Sequence, residues 1–131
     1  MYITIDERDK RPIYQQVVDE IKGLIARGEL AETSTLPPVR QVAADLGVNL
    51  NTIAFAYREL QKEGLIRVKH GSGAVVISRV MAKRDQQLAQ EQLSAVLTDL
   101  VLSGLTRAEV LALVNKALNS LSSERGRLKL N

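Results

Sequence analysis

Nothing in this chain of 131 residues is arranged to break a covalent bond. It has no cysteine and one histidine, His70, so a thiol nucleophile and a metal set built from His and Cys are both ruled out. No nucleophile stands beside a base, and no glycine-rich phosphate loop of the P-loop type occurs. No catalytic residue and no cofactor or metal is therefore expected. The side chains that offer chemistry are hydrogen-bonding ones in two short runs: Asn49-Leu50-Asn51-Thr52 with Ala54 and Arg58, and Lys69-His70-Gly71. Asn51 carries the paired donor and acceptor that match an adenine edge, and Leu50 or Ala54 suits a thymine methyl. Thr52 and Arg58 offer a hydroxyl and a guanidinium to phosphate. So do the charge of Lys69, the ring of His70 and the backbone N–H groups that Gly71 lets approach. Together these groups amount to recognition of a duplex rather than catalysis.

Such groups need elements that present them. Val39, Val42, Ala43 and Leu46 recur on one face of a first short helix. Gly47 ends it, and Asn49 opens a second whose inward face is Ile53, Ala56, Tyr57 and Leu60. Small Ala43 lets the helices approach, Gly47 makes the corner and Ile53 plugs it, the spacing of a helix-turn-helix. Two roles stay open for Asn49, helix cap or reader of bases. Leu65-Ile66-Arg67-Val68 and Ala74-Val75-Val76-Ile77 are strand-formers around Lys69-His70-Gly71-Ser72-Gly73, a hairpin tip. A hairpin beside the second helix is a wing, suited to touching DNA in two places. Phe55 either falls with the outward set of the second helix or packs under this wing.

Charge supports a local footprint rather than a global one. The net charge is +3, yet residues 1–78 carry ten Lys/Arg and ten Asp/Glu. From residue 64 to 84 the charges are Arg67, Lys69, Arg79, Lys83 and Arg84, with no acid. A basic band beside the wing would supply salt-dependent affinity; a solvated basic surface is the other reading. Hydrophobic residues are 45% and aromatics 3%, so a core of Leu, Val, Ile and Ala is expected. No apolar run approaches a membrane span of roughly 20 residues, and the N-terminus lacks a signal-peptide core. A cytoplasmic protein is expected.

The run Leu36-Pro37…Arg40…Ala43…Leu46-Gly47-Val48…Thr52…Ala56-Tyr57…Leu60…Glu63-Gly64-Leu65-Ile66…Gly71-Ser72-Gly73 closely resembles the DNA-binding domain of GntR-family bacterial transcription regulators. The match covers about residues 11–78, and the short remainder resembles the YtrA-type branch. The resemblance implies that Arg40 contacts the DNA backbone or a base edge; the alternative is a surface pair with Asp45 or Glu32. Relatives usually place a glycine near Thr33 and a serine at Pro38, where proline presets the first helical turn instead. Many relatives carry arginines at Leu50 and Ala54. Their absence points to an A·T-leaning half-site. The resemblance further implies a repressor of its own operon, often one encoding an ABC transporter.

The rest of the chain reads as scaffold. Pro12 opens a helix with a stripe of Ile13, Val17, Ile21, Leu24 and Ile25, Tyr14 and Val18 alongside, ending at Gly28. Residues 31–35 read as a polar loop. Residues 79–102 carry Leu93, Val96, Leu97, Leu100 and Val101. Gly104 breaks that helix, and Thr106-Arg107-Ala108-Glu109 is a capping box for a last one bearing Val110, Leu111, Val114, Ala117, Leu118 and Leu121. The tail from Ser122 to Asn131, with Arg125, Arg127 and Lys129, is expected to fray. Such a hairpin bears more apolar surface than it can hide alone, so a symmetric partner is expected to cover it; packing back on the winged helix is the alternative.

The expected fold is mainly α with a small β-hairpin: a winged helix-turn-helix at 1–78, then a two-helix α-hairpin for dimerisation at 79–131. The expected partners are pseudo-palindromic operator DNA and a second copy, with no membrane; an effector cannot be named. The rival is a winged-helix protein-interaction module without specific DNA binding, since Leu50, Ala54 and Phe55 are apolar where DNA readers often carry charge.

Overall fold

A computed structural model describes residues 1–69 and 73–122. The tail residues Arg125, Arg127 and Lys129 lie outside the described residues. Helix α1 (Ile13–Ala26) follows Pro12, whose extended backbone precedes the first turn. It buries Val17, Val18, Ile21, Leu24 and Ile25, while Ile13, at its first turn, stays exposed. Gln16 is buried with them, and its amide is satisfied at both ends. Its Nε2 donates to the Arg11 carbonyl (3.1 Å) and its Oε1 accepts from Asp6 N–H (2.9 Å). That pins the entry segment, whose Ile3 and Ile5 pack against the core.

Strand β1 (Thr35–Leu36), helix α2 (Val39–Leu46) and helix α3 (Leu50–Lys62) follow. Strands β2 (Ile66–Lys69) and β3 (Gly73–Val76) form the hairpin. The sheet has three strands in the order β1-β3-β2, all antiparallel, with Thr35 opposite Val75 and Arg67 opposite the same Val75 on the other side. The expected polar loop at 31–35 is thus corrected at its end, because Thr35 belongs to a strand. A two-residue strand carries no alternating pattern to read. It exists because Thr33 N–H donates to the Val76 carbonyl and Val76 N–H to the Ser34 carbonyl, both at 2.8 Å. Thr33 takes φ 74 there, a left-handed conformation that glycine adopts without strain.

The core is aliphatic apart from Tyr57, and Val17, Ile21, Ile53, Leu60 and Ile66 are wholly enclosed. Lys22 ties α1 to the end of α3 through Glu63 at 2.9 Å. Arg79 closes the unit. Its guanidinium donates to the Ile25 and Ala26 carbonyls (3.1 and 2.9 Å) in the last turn of α1, where Ile25 also accepts from Gly28 N–H at 3.1 Å. Arg79 therefore leaves the basic band and acts as a strap.

Backbone contacts group Met1–Met81 into one compact unit, and a second begins at Ala82. The second holds α4 (Lys83–Leu102) and α5 (Arg107–Leu121). Leu105 N–H reaches the Leu100 carbonyl (3.3 Å) and Gly104 N–H the Val101 carbonyl (3.0 Å), which stops α4. Thr106 and Glu109 form the reciprocal capping box, at 3.2 and 3.0 Å, that starts α5. Neither helix buries a single residue.

Candidate nucleic-acid interface

The corner between α2 and α3 is made locally. Gly47 has φ 67, and Val48 N–H donates to the Ala43 carbonyl at 3.0 Å. An L-residue there would carry strain. Asn49 then caps α3, its Oδ1 accepting from Asn51 N–H at 2.8 Å. The cap engages the oxygen of Asn49 and leaves its NH₂ as the group it can offer.

Four residues of α3 fill the core: Ile53, Ala56, Tyr57 and Leu60. Helical geometry then sends Leu50, Asn51, Phe55 and Arg58 to the exposed side, with Ala54 and Thr52 half-buried between. Leu50 is 42% exposed, an open apolar side chain at a helix start.

A surface groove of about 480 Å³ gathers contributions from three elements: Arg40 from α2, Leu50, Asn51 and Ala54 from α3, and Lys69 from β2, with Pro38, Val39, Val68 and Gly73 as its floor and rim. No acid lines it. Arg40 sits in the first turn of α2 and is exposed. Among the described residues it forms no ion pair with Asp45 or Glu32. Glu32 instead accepts from Arg79 N–H at 3.3 Å. The base of α2 is held from beneath, because the Tyr57 hydroxyl donates to the Pro37 carbonyl at 2.7 Å. Burial pushes the Tyr57 phenol well above its ordinary value, so the donor keeps its proton. Gln61 does the same for the wing, its Oε1 accepting from Val68 N–H at 2.7 Å on edge strand β2.

Thr52, Asn49 and Arg58 lie outside that groove, and His70 and Gly71 lie outside the described residues. Phe55 falls with the outward set and meets Tyr14 of α1 edge-on, ring centroids 4.6 Å apart at 80°. The guanidinium carbon of Arg58 stands 5.8 Å from the Phe55 centroid. Gly73 does more than end the hairpin tip. It has φ 89, and a Cβ there would lie 2.7 Å from the Leu36 carbonyl oxygen. Its place at the end of a Gly-Ser-Gly tip was the available signal.

The second unit holds the other predicted set. Leu97, Leu100, Val110 and Val114 are half-buried between α4 and α5, whereas Leu93, Val101, Leu111, Leu118 and Leu121 are exposed. Val96, Leu102 and Leu113 join them outside. A groove of about 400 Å³ runs along Leu97, Val101, Leu105, Val110, Leu111 and Val114, with Arg107 at its edge. No helix among the described residues is long and apolar enough to cross a membrane, and no group of three His, Cys, Asp or Glu is placed to hold a metal there.

Comparison with known proteins agrees with this geometry. Residues 13–76 match the family model described as "Bacterial regulatory proteins, gntR family". The HTH-type transcriptional repressor YtrA of Bacillus subtilis (strain 168) is 32% identical over 100 residues, which is 74% of this chain and 77% of that protein. The crystal structure of a transcriptional antiterminator from Listeria monocytogenes EGD-e superposes with a TM-score of 0.86 at 27% identity, covering 92% of each chain. The DNA-binding domain of AraR, solved in complex with operator ORX1, superposes with a TM-score of 0.51 at 25% identity, over 58% of this chain and 95% of that one. These relatives are regulators rather than enzymes. A winged helix-turn-helix with an exposed α3 and a family match across it lead to one assignment: the chain belongs to the GntR family of bacterial transcription regulators and is YtrA-like.

Proposed function

We propose that the chain is a homodimeric, sequence-specific repressor that binds a pseudo-palindromic operator in the cytoplasm and controls its own operon. Residues 1–78 form the DNA-binding domain and residues 79–131 the dimerisation region. The carrying observation is the groove that gathers Arg40, Leu50, Asn51, Ala54 and Lys69 from three elements on an acid-free surface. Asn51 reads an adenine edge while Leu50 and Ala54 take thymine methyls. Arg40, Thr52, Arg58 and Lys69, with His70 and Gly71, hold phosphates and set the register, and the Asn49 NH₂ is offered to a base edge. The repressor role follows the relative named YtrA, and the operator reading follows the AraR complex. An operon encoding an ABC transporter is the regulated gene set that the family resemblance suggests.

Dimerisation is supported by the apolar face of α4 and α5, on which Leu93, Val101, Leu111 and Leu118 are each about half exposed or more. Each large aliphatic side chain withdrawn from water contributes roughly 1.5–3 kcal/mol. A second copy offers the same face in return. Two linked modules then gain the avidity that one lacks.

Footprinting on genomic DNA flanking the gene, followed by anisotropy with the protected duplex, tests this reading. The expected result is a protected site with two-fold symmetry, bound at least a hundredfold more tightly than random DNA. Equal binding to both duplexes would favour a protein-docking role for Leu50 and Phe55.

A further inference from the structure

We propose that Phe55, buttressed by Tyr14, is a positioning residue that holds the Arg58 guanidinium ready for a DNA phosphate. The proposal rests on the DNA-binding reading above and deepens it. Arg58 lies seven positions after Asn51 and four after Ala54, so it continues the outward row of α3. It is exposed and forms no ion pair among the described residues. The acid beside it, Glu59, lies 3.4 Å from Lys62 instead. The described neighbour of Arg58 is the Phe55 ring at 5.8 Å, within the cation–π range of about 6 Å.

A ring differs from a carboxylate in what it leaves behind. It restrains the guanidinium without neutralising it, so the full charge remains for phosphate. Restraint before binding also lowers the ordering cost at binding. Phe55 would be a poor support if it were loose. It is not, because the Tyr14 ring meets it edge-on at 4.6 Å, and Tyr14 packs against the buried core. Core, Tyr14, Phe55 and Arg58 thus form one chain of contacts. It accounts for an apolar aromatic on the open face of α3.

Phosphate contacts need no particular sequence, so the test uses the full-length protein and a random-sequence duplex across a salt series. Arg58→Ala should lower the slope of log affinity against log salt by about 0.9 per protomer. Phe55→Leu should lower it by part of that amount and weaken binding about two- to fivefold. Phe55→Trp should match wild type, and Phe55→Leu should add nothing to Arg58→Ala. Side-chain NMR of the free protein should show an upfield ring-current shift at the Arg58 δ protons that Phe55→Leu abolishes. A wild-type slope in Phe55→Leu, additive losses in the double variant, or no ring-current shift would overturn the proposal. Operator preference is a separate readout: its absence with these slopes intact would defeat the specific-repressor reading alone.

Discussion

The Tyr57 hydroxyl donates to the Pro37 carbonyl at 2.7 Å, across twenty residues of chain. A residue in the middle of α3 thereby fixes the segment that launches α2, and with it Arg40. Tyr57→Phe should cost about 0.5–1.5 kcal/mol in urea unfolding, the usual net worth of one such bond. The pH dependence has a definite sign. Burial raises the folded-state pKa above the ordinary 10.0, so the folded state holds the phenolic proton after the unfolded chain has released it. The contribution is complete below about pH 10 and is lost as pH rises beyond that, by at most about 1.4 kcal/mol per unit. Wild type should lose stability above pH 10 faster than Tyr57→Phe; parallel curves would show that the phenol is not held this way.

Arg40 has no competing ion pair among the described residues and sits at the mouth of the groove. Arg40→Ala should weaken operator binding tenfold or more in a shift assay, with the melting temperature unchanged within error. Its side chain is exposed, and truncating exposed residues usually alters stability by less than about 0.5 kcal/mol. Unchanged binding would remove Arg40 from the interface.

Backbone positions with positive φ should respond in opposite directions. Thr33 is a β-branched residue at φ 74, so Thr33→Gly should stabilise the first unit by about 1 kcal/mol in thermal or urea melts. Gly73→Ala should do the reverse and more strongly, because φ 89 is joined by a Cβ contact of 2.7 Å with backbone. Gly47→Ala has the positive φ but open space around it, so it should fall between, at about 1 kcal/mol of destabilisation. A ranking with Gly47→Ala worse than Gly73→Ala would contradict the contact at Leu36.

The apolar face of the second unit should respond to charge. Val101→Glu or Leu111→Glu should convert a dimer into a monomer in sedimentation equilibrium at micromolar concentration. Operator affinity should fall at least a hundredfold as avidity is lost. A wild-type protein that sediments as a monomer would refute the dimer at once.

Several features are readable from sequence because neighbours along the chain decide them. The α2–α3 corner follows from Gly47 and the Asn49 cap, and the start of α5 from Thr106 and Glu109. The inward faces follow from apolar residues at helical spacing; of the α3 residues left off them, Leu50, Asn51 and Ala54 line the groove and Thr52 and Arg58 do not. Other features depend on residues far apart in the chain, where local propensity carries no information. Strand β1 exists only because β3 offers a free edge, and Thr33 takes a left-handed turn to reach it. Arg79, legible as one more positive charge, is drawn away by the Ile25 and Ala26 carbonyls in the last turn of α1. Phe55 meets Tyr14 because α1 runs beside α3. The alphabet of the site was thus written locally, whereas its grouping, with Arg40, Asn51 and Lys69 around one groove and Gly73 beneath them, required the chain to close on itself.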